Sequence, residues 1–140
     1  MKKILSLIVF TLLLTGCNQE LKVSEVDVKK VNSAMQEIID DTAAENGNYL
    51  IQGEKVSYLY LNRSNVIQGE EAIVLSNFTA EVKENILSME FSEEYTADYS
   101  NRDLTHELLY KIKGGQDDYD TISIMSDGES TSFVSVIGAD

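Results

Sequence analysis

The strongest restriction on the fold comes from a change of sequence period after residue 48. Aromatic and β-branched residues become frequent there, and apolar side chains alternate with polar ones, as in half-buried β-strands. Turn-forming residues separate these segments at 52–55, 84–85 and 114–115. The predicted strands cover residues 49–51, 56–61, 72–75, 79–83, 86–91, 108–113, 121–126 and 132–137. Such spacing predicts an antiparallel β-sandwich or open barrel of about 7–8 short strands.

One helix is predicted before these strands, because apolar side chains recur there at helical spacing. Val31, Met35, Ile38 and Ile39 share one face, and charged residues occupy the other. We therefore predict one amphipathic helix over residues 26–43, which the turn residues 46–48 end. The fold class is mainly β, or α+β, with this helix ahead of the strands.

Turn and loop signals organise the C-terminal half. Asp127-Gly128 is a favoured two-residue turn, so the segments on either side of it are predicted to form the clearest hairpin of the chain. Residues 92–107 are the longest polar interruption. We expect them to form a long loop, or a loop with a helical turn near residues 102–108.

The first seventeen residues have the order of a secretion signal. Lys2 and Lys3 precede an apolar run at residues 4–14, and Leu14-Thr15-Gly16-Cys17 follows. The apolar run is about eleven residues long, whereas a membrane-spanning helix needs roughly twenty. The segment is therefore predicted to direct export and not to span the membrane.

The end of this segment resembles the lipobox of bacterial lipoproteins. That resemblance implies that Cys17 receives a diacylglycerol and becomes the first residue after cleavage behind Gly16; the alternative is a secretory peptide discarded whole with its cysteine. We expect a signal peptide at 1–16, a lipidated tether at 17–25 and a single globular domain at 26–140. The body resembles small lipoproteins of Gram-positive bacteria, which implies a lipid-anchored location on the extracytoplasmic face of the cell membrane.

Charge and cysteine content exclude several classes of partner. The chain has a net charge of −13, which becomes −15 when Lys2 and Lys3 are removed. Nucleic-acid binding needs clustered cations, so it is not expected. The same balance argues against adsorption of the protein body to anionic lipid. Cys17 is the only cysteine, so no disulfide stabilises the fold.

A search for catalytic motifs argues against an enzyme. His106 is the only histidine, and Tyr110 stands where the zinc-binding motif H-E-x-x-H requires a second one. No G-x-S-x-G motif and no phosphate-binding glycine loop are present. An acid pair among the many carboxylates leaves a wall-active hydrolase as a weaker hypothesis. We expect no catalytic residues and no cofactor.

Acidic loops suggest one alternative ligand, calcium. Asp117, Asp118 and Asp120 place three carboxylates close together, and loop 92–107 would add more if it lay at the same end of the fold as loop 114–120. The spacing of an EF-hand is absent, however, and acidic loops are usually only solvated. A calcium-binding or small-ligand-binding surface domain that uses these two loops is therefore the second hypothesis.

The tyrosines suggest a protein-binding surface. Tyr95 and Tyr99 lie in a polar, acidic segment, where an exposed phenol ring provides contact area at low entropic cost. Tyr58 and Tyr60 alternate with Leu59 and Leu61 and are expected at the edge of the core, with their hydroxyls in water. The first hypothesis is a non-enzymatic, membrane-tethered interaction module whose partner is an envelope protein, a secreted peptide or toxin, or a wall component.

Overall fold

The computed structural model describes residues 20–101 and 103–138. Within them, nine strands accompany one α-helix and a single 3₁₀ turn at Gln116–Asp118. In chain order the elements are β1 Lys22–Val26, α1 Ser33–Thr42, β2 Gly47–Gln52, β3 Val56–Asn62, β4 Ala72–Lys83, β5 Ile86–Thr96, β6 Glu107–Lys113, β7 Thr121–Ser126, β8 Glu129–Ser130 and β9 Ser135–Gly138.

The strands form two sheets that pack face to face. The five-stranded sheet has the order β1-β6-β3-β2-β9, and the four-stranded sheet has the order β4-β5-β7-β8. Most neighbours are antiparallel, but β9 runs parallel to β2 and β7 runs parallel to β5. The sandwich-like α+β fold predicted from the sequence is confirmed, although its sheets are mixed and not purely antiparallel.

Strand alternation produces one core between the sheets and a second beneath the helix. Leu59 and Leu61 of β3 face the four-stranded sheet, where they join Leu87, Met89 and Phe91 of β5. The opposite face of β3 carries Tyr58 and Tyr60, which pack towards α1. The helix contributes Met35 and Ile39 to this second cluster, together with Tyr49, Ile51 and Leu109 from the sheet. The molecule therefore has three layers, in the order helix, five-stranded sheet, four-stranded sheet.

The N-terminal boundary of the fold differs from the prediction. The expected tether at 17–25 includes Lys22, yet residues from Lys22 to Val26 form β1 and pair with β6. The helix begins only at Ser33, where the side-chain oxygen of Asn32 accepts a hydrogen bond from the Met35 N–H at 2.9 Å. The signal peptide predicted at 1–16 and residues 17–19 of the tether lie outside the described residues.

The predicted C-terminal hairpin is wrong in its second strand. Asp127 and Gly128 form the expected turn, with φ of 51° and 80°, but β8 pairs with β7 over only two residues. The chain then crosses to the other sheet, because Asn48 holds it there. The Asn48 side-chain amide donates to the Ser132 carbonyl at 3.0 Å, and the Asn48 backbone carbonyl accepts the Val134 N–H at 2.8 Å.

The long polar segment 92–107 is also more ordered than predicted. Strand β5 continues to Thr96, so the loop covers only residues 97–106. In the described part of residues 102–108 there is no helical turn; β6 begins at Glu107 instead. The predicted strands 72–75 and 79–83 are one strand, β4, with an irregularity at Asn77, whose φ is 55°.

Tyr60 lies deeper than expected, because its hydroxyl is not in water. The side chain is fully buried, and the hydroxyl donates to the Glu107 carboxylate at 2.7 Å. Burial, followed by the hydrogen bond and charge of Glu107, raises the pKa of Tyr60 well above its ordinary value. Burial, with a smaller effect of Glu25, also raises the pKa of Tyr110 to about 12.

These raised pKa values predict a loss of stability in alkali. Above pH 10 or so the unfolded chain releases phenolic protons that the folded chain retains, so stability present below that pH declines as pH rises towards the folded pKa values. The Tyr60→Phe variant should show a shallower decline than the parent when urea unfolding is measured on both sides of that pH. Tyr95→Phe, an exposed control, should follow the parent; an equal decline in Tyr60→Phe would contradict the prediction.

Candidate functional site

Exposed apolar side chains gather where β3 and β5 end and β4 begins. We call this region the loop end; it consists of residues 63–71, the tip of β5 at 94–96, and residues 97–101 and 103–106. Here Val66, Ile67, Tyr95 and Tyr99 expose 41%, 65%, 64% and 55% of their surface. Large apolar side chains that remain this exposed together are typical of a binding surface.

Backbone pairing and hydrogen bonds bring these residues together from distant parts of the sequence. Tyr95 pairs with Ile73 at the start of β4, directly after loop 63–71. The Tyr99 hydroxyl donates to the Glu70 carbonyl, which connects loop 97–106 to the same region. Further along the chain, a His106 ring nitrogen bonds the Ile73 carbonyl at 2.6 Å. The two residues predicted to bind a partner, Tyr95 and Tyr99, thus lie at one end and are both exposed.

The loop end is strongly acidic. Its exposed carboxylates belong to Glu70, Glu71, Glu94, Asp98 and Asp103. Within the described residues, none of them has a lysine or arginine within ion-pair distance, because the ion pair found there joins Arg63 to Glu93. The described residues of the loop end therefore carry more negative than positive charge, which favours a basic partner.

A buried network around Arg63 supports this surface from below. Arg63 is only 9% exposed. Its Nε and Nη2 both lie 2.7 Å from Oε1 of Glu93 on β5. Nη2 also donates to the Asn48 side chain at 2.7 Å, and Nη1 donates to the Asn62 carbonyl at 2.9 Å. Because Arg63 ends one sheet and Glu93 belongs to the other, this ion pair joins the two layers.

The network also determines where loop 63–71 leaves the sandwich. The Arg63 N–H donates to the His106 carbonyl at 2.8 Å, and the guanidinium carbon lies 5.6 Å from the centre of the Phe91 ring. Sequence reasoning missed Arg63 and counted Glu93 only as one acidic residue among several. The available signal was an arginine two residues after the apolar strand 56–61, where a charged side chain has to find a partner.

The shared calcium site proposed for the two acidic loops is wrong in its geometry. Loop 114–120 meets β5 at its start, since Thr121 pairs with Ile86, whereas loop 97–106 follows the end of β5. An eleven-residue strand separates the two loops by about 33 Å. Asp117 and Asp118 lie in the 3₁₀ turn, and Asp120 accepts a hydrogen bond from the Thr121 hydroxyl. In the described parts of the chain, no group of three or more histidine, cysteine or acidic side chains is arranged to hold a metal ion.

Comparison with known proteins identifies the N-terminal segment. Residues 1–18 match the family model described as "Prokaryotic membrane lipoprotein lipid attachment site". No curated protein and no solved structure matches the chain. Among the helices of the described residues, none is long and apolar enough to cross a membrane. The match supports a bacterial lipoprotein that is tethered to a membrane through its lipid, as the lipobox around Cys17 predicted.

Proposed function

We propose that this lipoprotein is a non-enzymatic interaction module on the extracytoplasmic face of the cell membrane, with Cys17 as its acylated residue. In this proposal the loop end binds an envelope or secreted protein. The observation that carries the proposal is the exposure of Val66, Ile67, Tyr95 and Tyr99 together at one end of the sandwich. Single exposed apolar side chains are ordinary, but several of them at one end of a domain are typical of a surface that a partner covers.

The chemistry of the loop end indicates the kind of partner. Tyrosines at the centre of an interface bury a large ring while losing few rotamers. The surrounding carboxylates favour a partner that presents lysine or arginine around an apolar centre, and they raise the rate of encounter with it. The Arg63 network keeps the base of the loops in one arrangement, which lowers the entropic cost of binding.

The Tyr95→Ala/Tyr99→Ala variant should lose its partner. Truncating two central aromatic residues is expected to weaken binding at least tenfold each. The test is cross-linking on intact cells with the acylated, C-terminally tagged protein, followed by mass spectrometry and a binding measurement with the purified partner. Val136→Ala, which shortens an exposed side chain on the edge strand β9, is the matched control and should bind like the parent.

A second measurement tests the exposed carboxylates of the loop end independently of the tyrosines. Glu70→Gln/Glu71→Gln/Asp98→Asn should slow association and reduce its dependence on salt, while dissociation changes little.

Unchanged capture by the Tyr95→Ala/Tyr99→Ala variant would overturn the proposal. Retention of a wall fragment in place of a protein would overturn the choice of partner.

A further inference from the structure

Three lysines lie together on one uncovered face of the five-stranded sheet. Val26 of β1 and Leu109 of β6 point into the cluster beneath α1, so strand alternation places Lys22, Lys111 and Lys113 on that same face. The helix covers the part of the face formed by Tyr49, Ile51 and Tyr60. The three lysines occupy the remaining corner, which we call the lysine face.

This arrangement is unfavourable for the isolated protein. Lys22 and Lys113 are directly opposite each other on antiparallel strands, where like charges destabilise the sheet. Neither these two lysines nor Lys111 has a carboxylate within ion-pair distance among the described residues. A cavity of about 340 Å³ is lined by Lys22 and Lys113, and Glu20 is the one acidic residue in its lining. The lysine face therefore has unsatisfied positive charge that an anionic partner would neutralise.

The distance along the chain to the lipid anchor identifies that partner. Lys22 follows Cys17 by five residues, so their Cα atoms are separated by at most about 18 Å. Leu21, directly before β1, packs against the core between the sheets and thereby joins the anchor segment to this end of the domain. Once Cys17 is acylated, the lysine face is within reach of the lipid headgroups, and the charge of those headgroups then decides whether it rests on them.

We propose that the lysine face rests on anionic lipid headgroups and thereby orients the anchored domain. The loop end then points away from the bilayer, because it adjoins the start of β6 at Glu107, whereas Lys111 and Lys113 lie about 13 and 20 Å further along that strand. Its exposed carboxylates are repelled by the same surface that attracts Lys22, Lys111 and Lys113. This inference depends on acylation of Cys17 and not on the identity of any protein partner.

The other charges near this end favour the same orientation. Lys55 and Lys83 are each next to a glutamate in a turn, so their charges are locally offset. Asp117, Asp118 and Asp120 lie in the connection towards the four-stranded sheet, where the Asp120 N–H bonds the Asn85 carbonyl. Asp120 therefore lies towards the four-stranded sheet, on the side away from the lysine face, which leads us to expect that the domain leans towards that face. The expectation that the body avoids anionic lipid rests on net charge alone, and this inference departs from it because three of the positive charges lie on one face.

The test measures the orientation of the full acylated protein on vesicles. A fluorophore is attached at Ser24→Cys, beside the lysine face, or at Ser130→Cys, on β8, and quenching by a lipid-bound acceptor is recorded. Vesicles of phosphatidylcholine mixed with phosphatidylglycerol are compared with pure phosphatidylcholine. We expect strong quenching at position 24 only on the anionic vesicles, weak quenching at position 130 on both, and a loss of the difference at high salt.

Charge reversal separates this face from a general effect of charge. Lys22→Glu/Lys113→Glu should reduce the oriented population roughly tenfold or more on anionic vesicles. Lys55→Glu/Lys83→Glu makes the same change in net charge at the same end and should leave the orientation intact. Equal quenching at position 24 on both kinds of vesicle, or equal effects of the two double variants, would overturn the inference. Because no protein partner is present, such a result would leave the proposed interaction at the loop end unaffected.

Discussion

Replacing Arg63 with alanine should lower the free energy of unfolding by about 3–5 kcal/mol. The guanidinium of Arg63 donates hydrogen bonds to the Glu93 carboxylate and to the Asn48 side-chain oxygen at a position largely shielded from solvent. Without it, a charge and an amide oxygen remain in the interior with no partner. Proteins of this size are stable by only about 5–15 kcal/mol, so the loss should be evident in urea unfolding followed by circular dichroism.

A double-mutant cycle separates the ion pair from the rest of the network. The cycle consists of Arg63→Met, Glu93→Met and the double variant; the double variant should recover part of the loss of Arg63→Met, because it leaves no buried charge without a partner. Arg63→Lys keeps the charge but cannot bond Glu93, Asn48 and the Asn62 carbonyl simultaneously, so an intermediate loss is expected. Lys83→Ala, at an exposed position, should change stability by less than about 0.5 kcal/mol. A loss no larger than that for Arg63→Ala would show that the network does not stabilise the fold.

Replacing Phe91 with alanine should lower the free energy of unfolding by a similar amount, about 3–5 kcal/mol. The ring is fully buried between the sheets and lies beneath the Arg63 guanidinium. Its removal leaves a cavity that the surrounding strands cannot close, because both sheets are held by their own hydrogen bonds.

Phe78 provides the matched control for this second variant. It is the same residue type in the neighbouring strand β4, but it is only half-buried and stacks on Tyr110 with ring centres 3.9 Å apart. Phe78→Ala should therefore cost clearly less than Phe91→Ala, measured as the difference in urea midpoint at constant slope. An equal or larger cost for Phe78→Ala would mean that the cluster around Phe91 is not the principal core.

The orientation and the binding surface form one functional scheme. In the two proposals, lipid attachment near β1 and the lysine face would both bring the same end of the sandwich towards the bilayer, and the acidic, tyrosine-bearing end would be presented outwards. An interaction module benefits from this arrangement, because a partner reaches Tyr95 and Tyr99 without displacing the membrane. The two proposals nevertheless rest on different residues, and their tests fail independently.

Local patterns predicted much of the architecture. The two-residue turns at 84–85 and 127–128 form as expected, with both residues of each pair at positive φ. The strand 56–61 is found as β3, with its leucines and tyrosines on opposite faces. These features depend on neighbours within a few residues, so their signals lie close together in the chain. The lipid attachment site is equally local, because its recognition needs only the basic start, the apolar run and the residues before Cys17.

The errors occurred where short local signals competed with contacts between distant residues. Lys22–Val26 is too polar to be distinguished from a tether, and it becomes β1 because β6 offers a free edge. The segment after Asp127-Gly128 leaves its hairpin because Asn48, more than eighty residues earlier, bonds its backbone. The two acidic loops lie at opposite ends because β7 runs parallel to β5, which a pattern of turns cannot reveal.

The amino-acid sequence alone predicts the lipoprotein anchor, the β-rich fold class, the positions of most strands and the presence of exposed tyrosines in an acidic segment. Only the packed structure joins Arg63 to Glu93, collects Val66, Ile67, Tyr95 and Tyr99 at one end, and separates them from Lys22, Lys111 and Lys113. The physical reason is that periodicity and turn preference act over a few residues, whereas the pairing of sheets and the placement of charge depend on which distant surfaces bury each other.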